Sequence, residues 1–171
     1  MKRITKFLSI TTLGCAGLML ASTARAEVTD QDKQFLTTAS QSNVNEIKLS
    51  ELAESKASNP QVKAYAHKMV VDHNALGAKM KPFADAWALT PPTGLDSDHQ
   101  AEYDKLNGLS GSDFDKEYMT AMDKDHHVAL DLFTAEASST TDAKFKAAVM
   151  QGKSVVSAHT HMADSMTAKM S

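Results

Sequence analysis

The chain has 171 residues, of which 42% are apolar and 23% are charged. This composition is typical of one globular domain and excludes a disordered or collagen-like polymer. The formal net charge of −3 also excludes the strongly basic surface that many nucleic-acid-binding domains carry.

Residues 1–26 are predicted to be a cleavable signal peptide. Lys2, Arg3 and Lys6 make the start basic, residues 7–21 form an apolar stretch, and residues 24–26 match an Ala-x-Ala cleavage site. The mature chain would begin at Glu27 and contain 14 lysines, 21 acidic residues and no arginine, a net charge of −7. We therefore expect no nucleic-acid partner, because this surface repels phosphates and lacks the guanidinium groups that bind them.

The signal peptide also contains the single cysteine, Cys15, so the mature protein would have no disulfide or thiol chemistry. After residue 26, no apolar run approaches the roughly 20 residues that span a bilayer. We expect a periplasmic or secreted protein without a transmembrane span, and association with the outer membrane is an open alternative.

Turn and capping signals divide residues 27–171 into four long helices and a short one. The first helix is predicted from Asp30 to Ala57, and the second begins at Pro60 with Asn59 as its N-cap. The second helix is expected to continue through a kink at Pro82 and to end near Leu89, before the breaker over residues 90–94.

A capping-box pattern at Ser97 and Gln100 predicts a short helix that ends at residues 107–108. The third long helix starts at residues 110–112 and reaches Ala137, and the fourth follows a linker over residues 138–142. Long helices joined by mostly short connections predict an all-α fold. We expect an antiparallel up-down-up-down four-helix bundle of the ferritin-like type, with the short helix between the second and third long helices.

Each long helix carries an apolar stripe at alternating steps of four and three, which should face the bundle interior. In the second helix the stripe consists of Val62, Ala66, Met69, His73, Leu76, Met80, Phe83 and Trp87. Four stripe positions are ionisable, one per helix and each near the helix midpoint: Glu46, His73, His126 and His159. Since midpoints of antiparallel neighbours lie at similar heights, we expect these side chains to meet in one internal layer.

A local repeat surrounds two of these histidines. The pattern Tyr-x3-Met-x2-Asp-His occurs at Tyr65 to His73 and again at Tyr118 to His126. Each Asp precedes its His by one residue, about 100° around the helix, so it should orient a ligand on a neighbouring helix or complete a metal's coordination sphere. The predicted metal residues are His73, His126, His159, Glu46, Asp72 and Asp125, with Met69, Met122, Met162, Tyr65 and Tyr118 around them.

Imidazole accepts zinc, copper, iron or nickel, and nearby thioethers favour copper. We therefore predict a transition metal, copper, iron or zinc, at this layer. The alternative is a metal-free layer of hydrogen bonds that fixes the helix register in a structural or stress-related envelope protein. His67, His99, His127 and His161 lie off the stripes and are expected at the surface.

Several motifs together resemble the domain of unknown function 4142 family. They are Val62-Lys63-x-Tyr65-Ala66-x-x-Met69-Val70-x-Asp72-His73, Gly111-x-x-Phe114-Asp115-x-x-Tyr118-Met119, Asp125-His126 and His159-x3-Ala163. The resemblance covers residues 30–168 and implies an exported bacterial protein with a ferritin-like bundle, often labelled an outer-membrane protein. Because the chain has no Glu-x-x-His, the motif of di-iron oxidases, we expect metal binding rather than an enzyme, and metal-dependent oxidation is the least favoured function.

Overall fold

The computed structural model describes residues 27–170, so the predicted signal peptide lies outside the described residues. The helices are α1 (Asp30–Lys56), α2 (Pro60–Ala86), α3 (Ser97–Gly108), α4 (Gly111–Ser139) and α5 (Ala143–Met170). No strand occurs between residues 27 and 170, and the predicted all-α class is confirmed.

The helix ends follow the capping signals closely. Asn59 caps α2, with Pro60 in its first turn, and α2 continues through Pro82 as one helix. One predicted cap is wrong: Asp96, not Ser97, caps α3, because the Asp96 side chain accepts the His99 backbone N–H at 2.9 Å.

The four long helices pack in pairs with opposite directions. At one end of α1, Gln31 donates to the hydroxyl of Ser139 near the end of α4, and near its other end Ser50 bonds to Tyr118 near the start of α4. Helices α1 and α4 are therefore antiparallel. Pairs of hydrogen bonds whose residue numbers run in opposite directions show the same for α1 and α2, for α4 and α5, and for α2 and α5. Consequently α2 and α4 run in the same direction, and the predicted up-down-up-down order of the long helices is wrong.

The short helix α3 is the physical reason for this difference. Near its start, Asp96 accepts a 2.7 Å hydrogen bond from Asn45 in the middle of α1, and near its end the Leu106 carbonyl accepts one from Lys56 at the end of α1. Helix α3 therefore runs alongside α1, and its 12 residues advance the chain by about 18 Å. It returns the chain toward the opposite end of the molecule before α4 begins, so α4 runs in the same direction as α2.

The apolar core forms two clusters with a polar layer between them. One cluster contains Leu49, Met69, Met122 and Ala163 among others, and the second contains Ala39, Leu76, Ala129 and Val156 among others. The predicted ionisable residues, Glu46, His73, His126 and His159, fall between these two sets along their helices and are all buried. The stripes therefore face the interior, as predicted.

Candidate metal centre

Three histidines from three helices meet in the polar layer. His73 of α2, His126 of α4 and His159 of α5 are 4%, 1% and 0% exposed. Their ring centroids lie 5.7 Å apart for His73 and His126, and 5.4 Å apart for each of the other two pairs. The rings form a compact triangle inside the protein.

One nitrogen of each ring is held by a neighbour. Nδ1 of His73 lies 3.1 Å from Oδ1 of Asn43 on α1, and Nδ1 of His126 lies 2.8 Å from the Met122 carbonyl one turn earlier. Nε2 of His159 lies 2.8 Å from a carboxylate oxygen of Asp72 on α2. Since carbonyl and carboxylate oxygens only accept, and Asn43 presents its carbonyl oxygen, each contacting ring nitrogen carries the proton.

The second nitrogen of each ring consequently holds a free lone pair. Nε2 of His73, Nε2 of His126 and Nδ1 of His159 are buried and have no hydrogen-bond partner among residues 27–170. Buried polar atoms without a partner are rare because each one costs free energy. What sets these three apart from other unpaired atoms is that they belong to three adjacent rings, each with a lone pair available to an electrophile.

The size of the triangle suits a metal ion. One potential ligand nitrogen from each histidine lies within 4.8 Å of those of the other two, and the centre of such a triangle is at most about 2.8 Å from each nitrogen. A metal–imidazole bond is about 2.0 to 2.1 Å long. Small ring rotations would therefore bring the three nitrogens to bonding distance of one ion.

Burial keeps the three imidazoles neutral. It lowers the pKa of His73 well below its usual value, and the nearby His126 and His159 lower it further. Burial lowers the pKa of His126 to about 4, against the opposing effect of its bond to Met122. The pKa of His159 is lowered by burial too, while its bond to Asp72 acts in the opposite direction. The neutral ring is the form that binds metals.

Asp72 links the histidine triangle to the surface. Its carboxylate accepts from Lys68 at 2.8 Å as well as from His159, and 27% of its side chain is exposed. Burial alone would raise the pKa of Asp72, but the bonds from Lys68 and His159 hold it below its usual value. The structure thus places Asp72 where it orients a histidine on a neighbouring helix.

Two predicted ligands lie outside the triangle. Glu46 is buried, but its Oε1 lies 3.8 Å from Nδ1 of His126, the nitrogen that already bonds to Met122. Burial raises the pKa of Glu46 well above its usual value, and the charge of Asp125 adds to this. Asp125 itself lies 3.3 Å from Nε2 of His99. Because it precedes His126 by about 100° of helix rotation, it faces α3 rather than the interior.

The predicted surrounding residues lie in or beside the adjoining apolar cluster. Met69, Met122 and Tyr118 are fully buried in this cluster, Met162 packs partly buried against it, and the Tyr118 hydroxyl bonds to Ser50. The Tyr65 ring lies 6.5 Å from the His159 ring. The structure therefore places these residues on one side of the histidine layer.

Sequence reasoning missed two polar groups. Asn43, which orients His73, lies off the α1 stripe and gave no signal. His99 was expected at the surface, but it lies between Asp96 and Asp125, and bonds to Asp125 and Asp96 raise its pKa to about 9. The Asp three residues before it at a helix start could have predicted the first of these bonds. The other three off-stripe histidines, His67, His127 and His161, are exposed, as expected.

Solved structures with the same fold include DUF305 proteins. A DUF305 fragment from Deinococcus radiodurans aligns with a TM-score of 0.72 and 13% identity, over 82% of this chain and 97% of its own. A DUF305 protein from Streptomyces coelicolor that is presumed to be secreted gives a TM-score of 0.70 and 16% identity, over 82% and 93% of the two chains. At these identities the likeness establishes the fold alone.

The protein CopM, in its Cu(II)-bound form, gives a TM-score of 0.69 and 20% identity, and the alignment covers 85% of this chain and 99% of CopM. CopM structures in Cu(I)-bound and Ag-bound forms also align. None of the curated proteins compared with the chain matches it.

Across residues 27–170, no helix combines the length and the apolar character needed to cross a bilayer. The family model described as a domain of unknown function, DUF4142, matches residues 18–166. The motifs around His73, His126 and His159 all lie inside this match, and the chain belongs to the DUF4142 family.

Proposed function

We propose that this protein binds one transition-metal ion, with Cu(I) as the best fit, through His73, His126 and His159. The observation that carries the proposal is the triangle of buried rings, in which each ring has one nitrogen oriented by a neighbour and one free lone pair. Asn43, the Met122 carbonyl and Asp72 would hold the rings in place, as outer hydrogen bonds do in metal sites.

The charge of the site favours a monovalent ion. The three ligands are neutral. Asp72 bonds to Nε2 of His159, Oε1 of Glu46 lies 3.8 Å from Nδ1 of His126, and no carboxylate among residues 27–170 belongs to the group that the three histidines form. Because the desolvation cost of an ion grows with the square of its charge, a buried neutral site accepts Cu(I) more easily than a divalent ion. Imidazole is also an accepted copper ligand. CopM, which shares the fold, has been crystallised with Cu(I), Cu(II) and Ag.

A metal-free hydrogen-bonded layer is the second candidate, and the bonds of His73 to Asn43 and of His159 to Asp72 favour it. It leaves the three free nitrogens without a role, however, and so accounts for fewer of the buried polar atoms. An oxidase is less favoured still, because no carboxylate between residues 27 and 170 joins the triangle to make the carboxylate-rich centre of ferritin-like oxidases.

We also infer that the protein acts outside the cytoplasm. The basic start, apolar stretch and cleavage pattern of residues 1–26 support removal of a signal peptide and a mature ferritin-like domain of residues 27–171. The similarity to a presumed secreted Streptomyces protein is consistent with export.

The decisive experiment is anaerobic Cu(I) titration of residues 27–171, made without a His-tag, against a chromophoric chelator. We expect one tightly held Cu(I) per chain. The variant H73A/H126A/H159A should lose it, whereas the control H67A/H127A, which removes two exposed histidines, should retain it. Circular dichroism of each variant shows whether it is folded.

Equal and negligible Cu(I) in the wild type and in both variants would refute the proposal. Equal retention by all three proteins would also refute it, because the metal would then be bound elsewhere. If H73A/H126A/H159A does not fold, the single variant H126A answers the question, since two of the three ligands remain and only the affinity should fall.

A further inference from the structure

A buried metal site needs a route from solvent, and the structure offers one along the seam between α2 and α5. The Asp72–His159 bond lies on this seam, and Asp72 is partly exposed. Grooves open on both sides of the bond. The first, of about 470 Å³, is lined by Tyr65, His161, Met162 and Met166 among others, and the second, of about 310 Å³, by Asp72, Lys79 and Gln151 among others.

The two grooves differ in their donor chemistry. The first contains two thioethers and an imidazole, and its Lys68 ammonium is paired with Asp72 at 2.8 Å. Met162 and Met166 are one helical turn apart on the same face of α5. The lining of the second contains no sulfur and no histidine. Thioether donors select soft cations such as Cu(I). Only the first of these two grooves therefore has ligands for the ion proposed at the buried site.

Tyr65 forms the wall between the first groove and the histidine triangle. It lines the groove and is 4% exposed, and its ring lies 6.5 Å from that of His159. Its buried hydroxyl has no hydrogen-bond partner among residues 27–170. Packing against its neighbours is therefore what holds the Tyr65 ring in place, without a hydrogen bond from its hydroxyl.

We propose that Met162, Met166 and His161 form a capture site for a soft monovalent cation, Cu(I), which then passes Tyr65 to reach His159. This rests on the function proposed above for the buried histidines. The capture site binds more weakly than the buried site, because it is open to solvent, where water competes for the ion. Its effect is on the rate of loading rather than on the final affinity.

The first test examines capture without the buried site. Methionine methyl groups are labelled with ¹³C in H73A/H126A/H159A, and Ag(I) is added as an air-stable analogue of Cu(I). The methyl signals of Met162 and Met166 should shift, while that of Met150, which is 57% exposed elsewhere on α5, should not. Unchanged Met162 and Met166 signals, or equal shifts of all exposed methionines, would overturn the proposal.

The second test uses the otherwise intact protein and measures the rate of Cu(I) transfer from a chelate. M162L/M166L should load about tenfold more slowly than the wild type yet reach the same one-to-one stoichiometry. M150L is the matched control and should load at the wild-type rate. An unchanged rate in M162L/M166L would overturn the capture role. If the wild type takes up no Cu(I), the buried site is refuted, and the Ag(I) test still decides the groove.

Discussion

Gly152 sets the close approach of α5 to its neighbours near the histidine layer. A Cβ atom at this position would lie 2.4 Å from Cε1 of Phe133 on α4 and 3.1 Å from Cδ1 of Leu76 on α2. Carbon atoms in contact need about 3.5 Å, so Gly152→Ala requires the Phe133 ring to retreat by about 1 Å. That ring is held edge-on against Phe35, with 5.0 Å between centroids, and cannot simply rotate away.

The expected cost follows from two opposing terms. Overpacking a close-packed core costs about 1–3 kcal/mol. Replacing a glycine inside a helix by alanine stabilises the helix by about 1 kcal/mol. We therefore expect Gly152→Ala to destabilise the protein by about 1 kcal/mol, which lowers Tm by about 2–4 °C for a domain of this size. The helix pair that carries His126 and His159 would also be pushed apart, so Cu(I) affinity should fall.

Thermal unfolding followed by circular dichroism measures this effect. Gly108→Ala is the matched control, because beyond its chain neighbours and its own helix backbone no described atom lies within 4 Å of the added Cβ at the last residue of α3. Its Tm should stay unchanged or rise slightly. Phe133→Leu should partly rescue Gly152→Ala, since coupled neighbours are not additive. A Gly152→Ala protein as stable as the wild type, or more stable, would refute this account of α5 packing.

Three further substitutions test other parts of the structure. Asp72→Ala removes the acceptor that orients His159, so Cu(I) affinity in the chelator competition should fall about 10- to 100-fold. An unchanged affinity would show that this bond does not support the site. Burial, together with Asp32, raises the pKa of Glu136 from 4.5 to about 7, so the folded state holds its proton more tightly than the unfolded chain and loses stability as pH rises from about 4.5 to 7. Glu136→Gln cannot ionise, so its Tm should fall less than that of the wild type between pH 5 and pH 8, and parallel Tm profiles would contradict the assignment. Asp115→Ala removes a buried carboxylate that accepts two backbone N–H groups and a hydroxyl from the α1–α2 connection. Urea unfolding should show that the free energy of unfolding falls by about 2–4 kcal/mol. A fall below about 1 kcal/mol would mean that solvent replaces these bonds.

The sequence by itself determined where the helices lie along the chain and which of their residues are buried. The spacing of four and three along α2, α4 and α5 predicted which side chains are buried, because an α-helix of 3.6 residues per turn can bury only one such stripe. The positions of His73, His126 and His159 near the helix midpoints predicted one shared layer. This prediction does not depend on the helix directions, because a midpoint stays at the same height whichever way the helix runs. Caps such as Asn59 were predictable because they depend on neighbours within three residues.

Only the tertiary structure decided which groups meet across the helices. Whether α3 turns back locally or runs alongside α1 depends on its docking against Asn45 and Lys56, which are distant in sequence. The rotation of each helix about its axis then decides finer contacts: Asp72 reaches His159, whereas Asp125, in the same local motif, faces His99. A linear pattern specifies a stripe about 100° wide. The protonated nitrogens of His73 and His159, however, are fixed by Asn43 and Asp72 on other helices, and those positions exist only once the chain has folded.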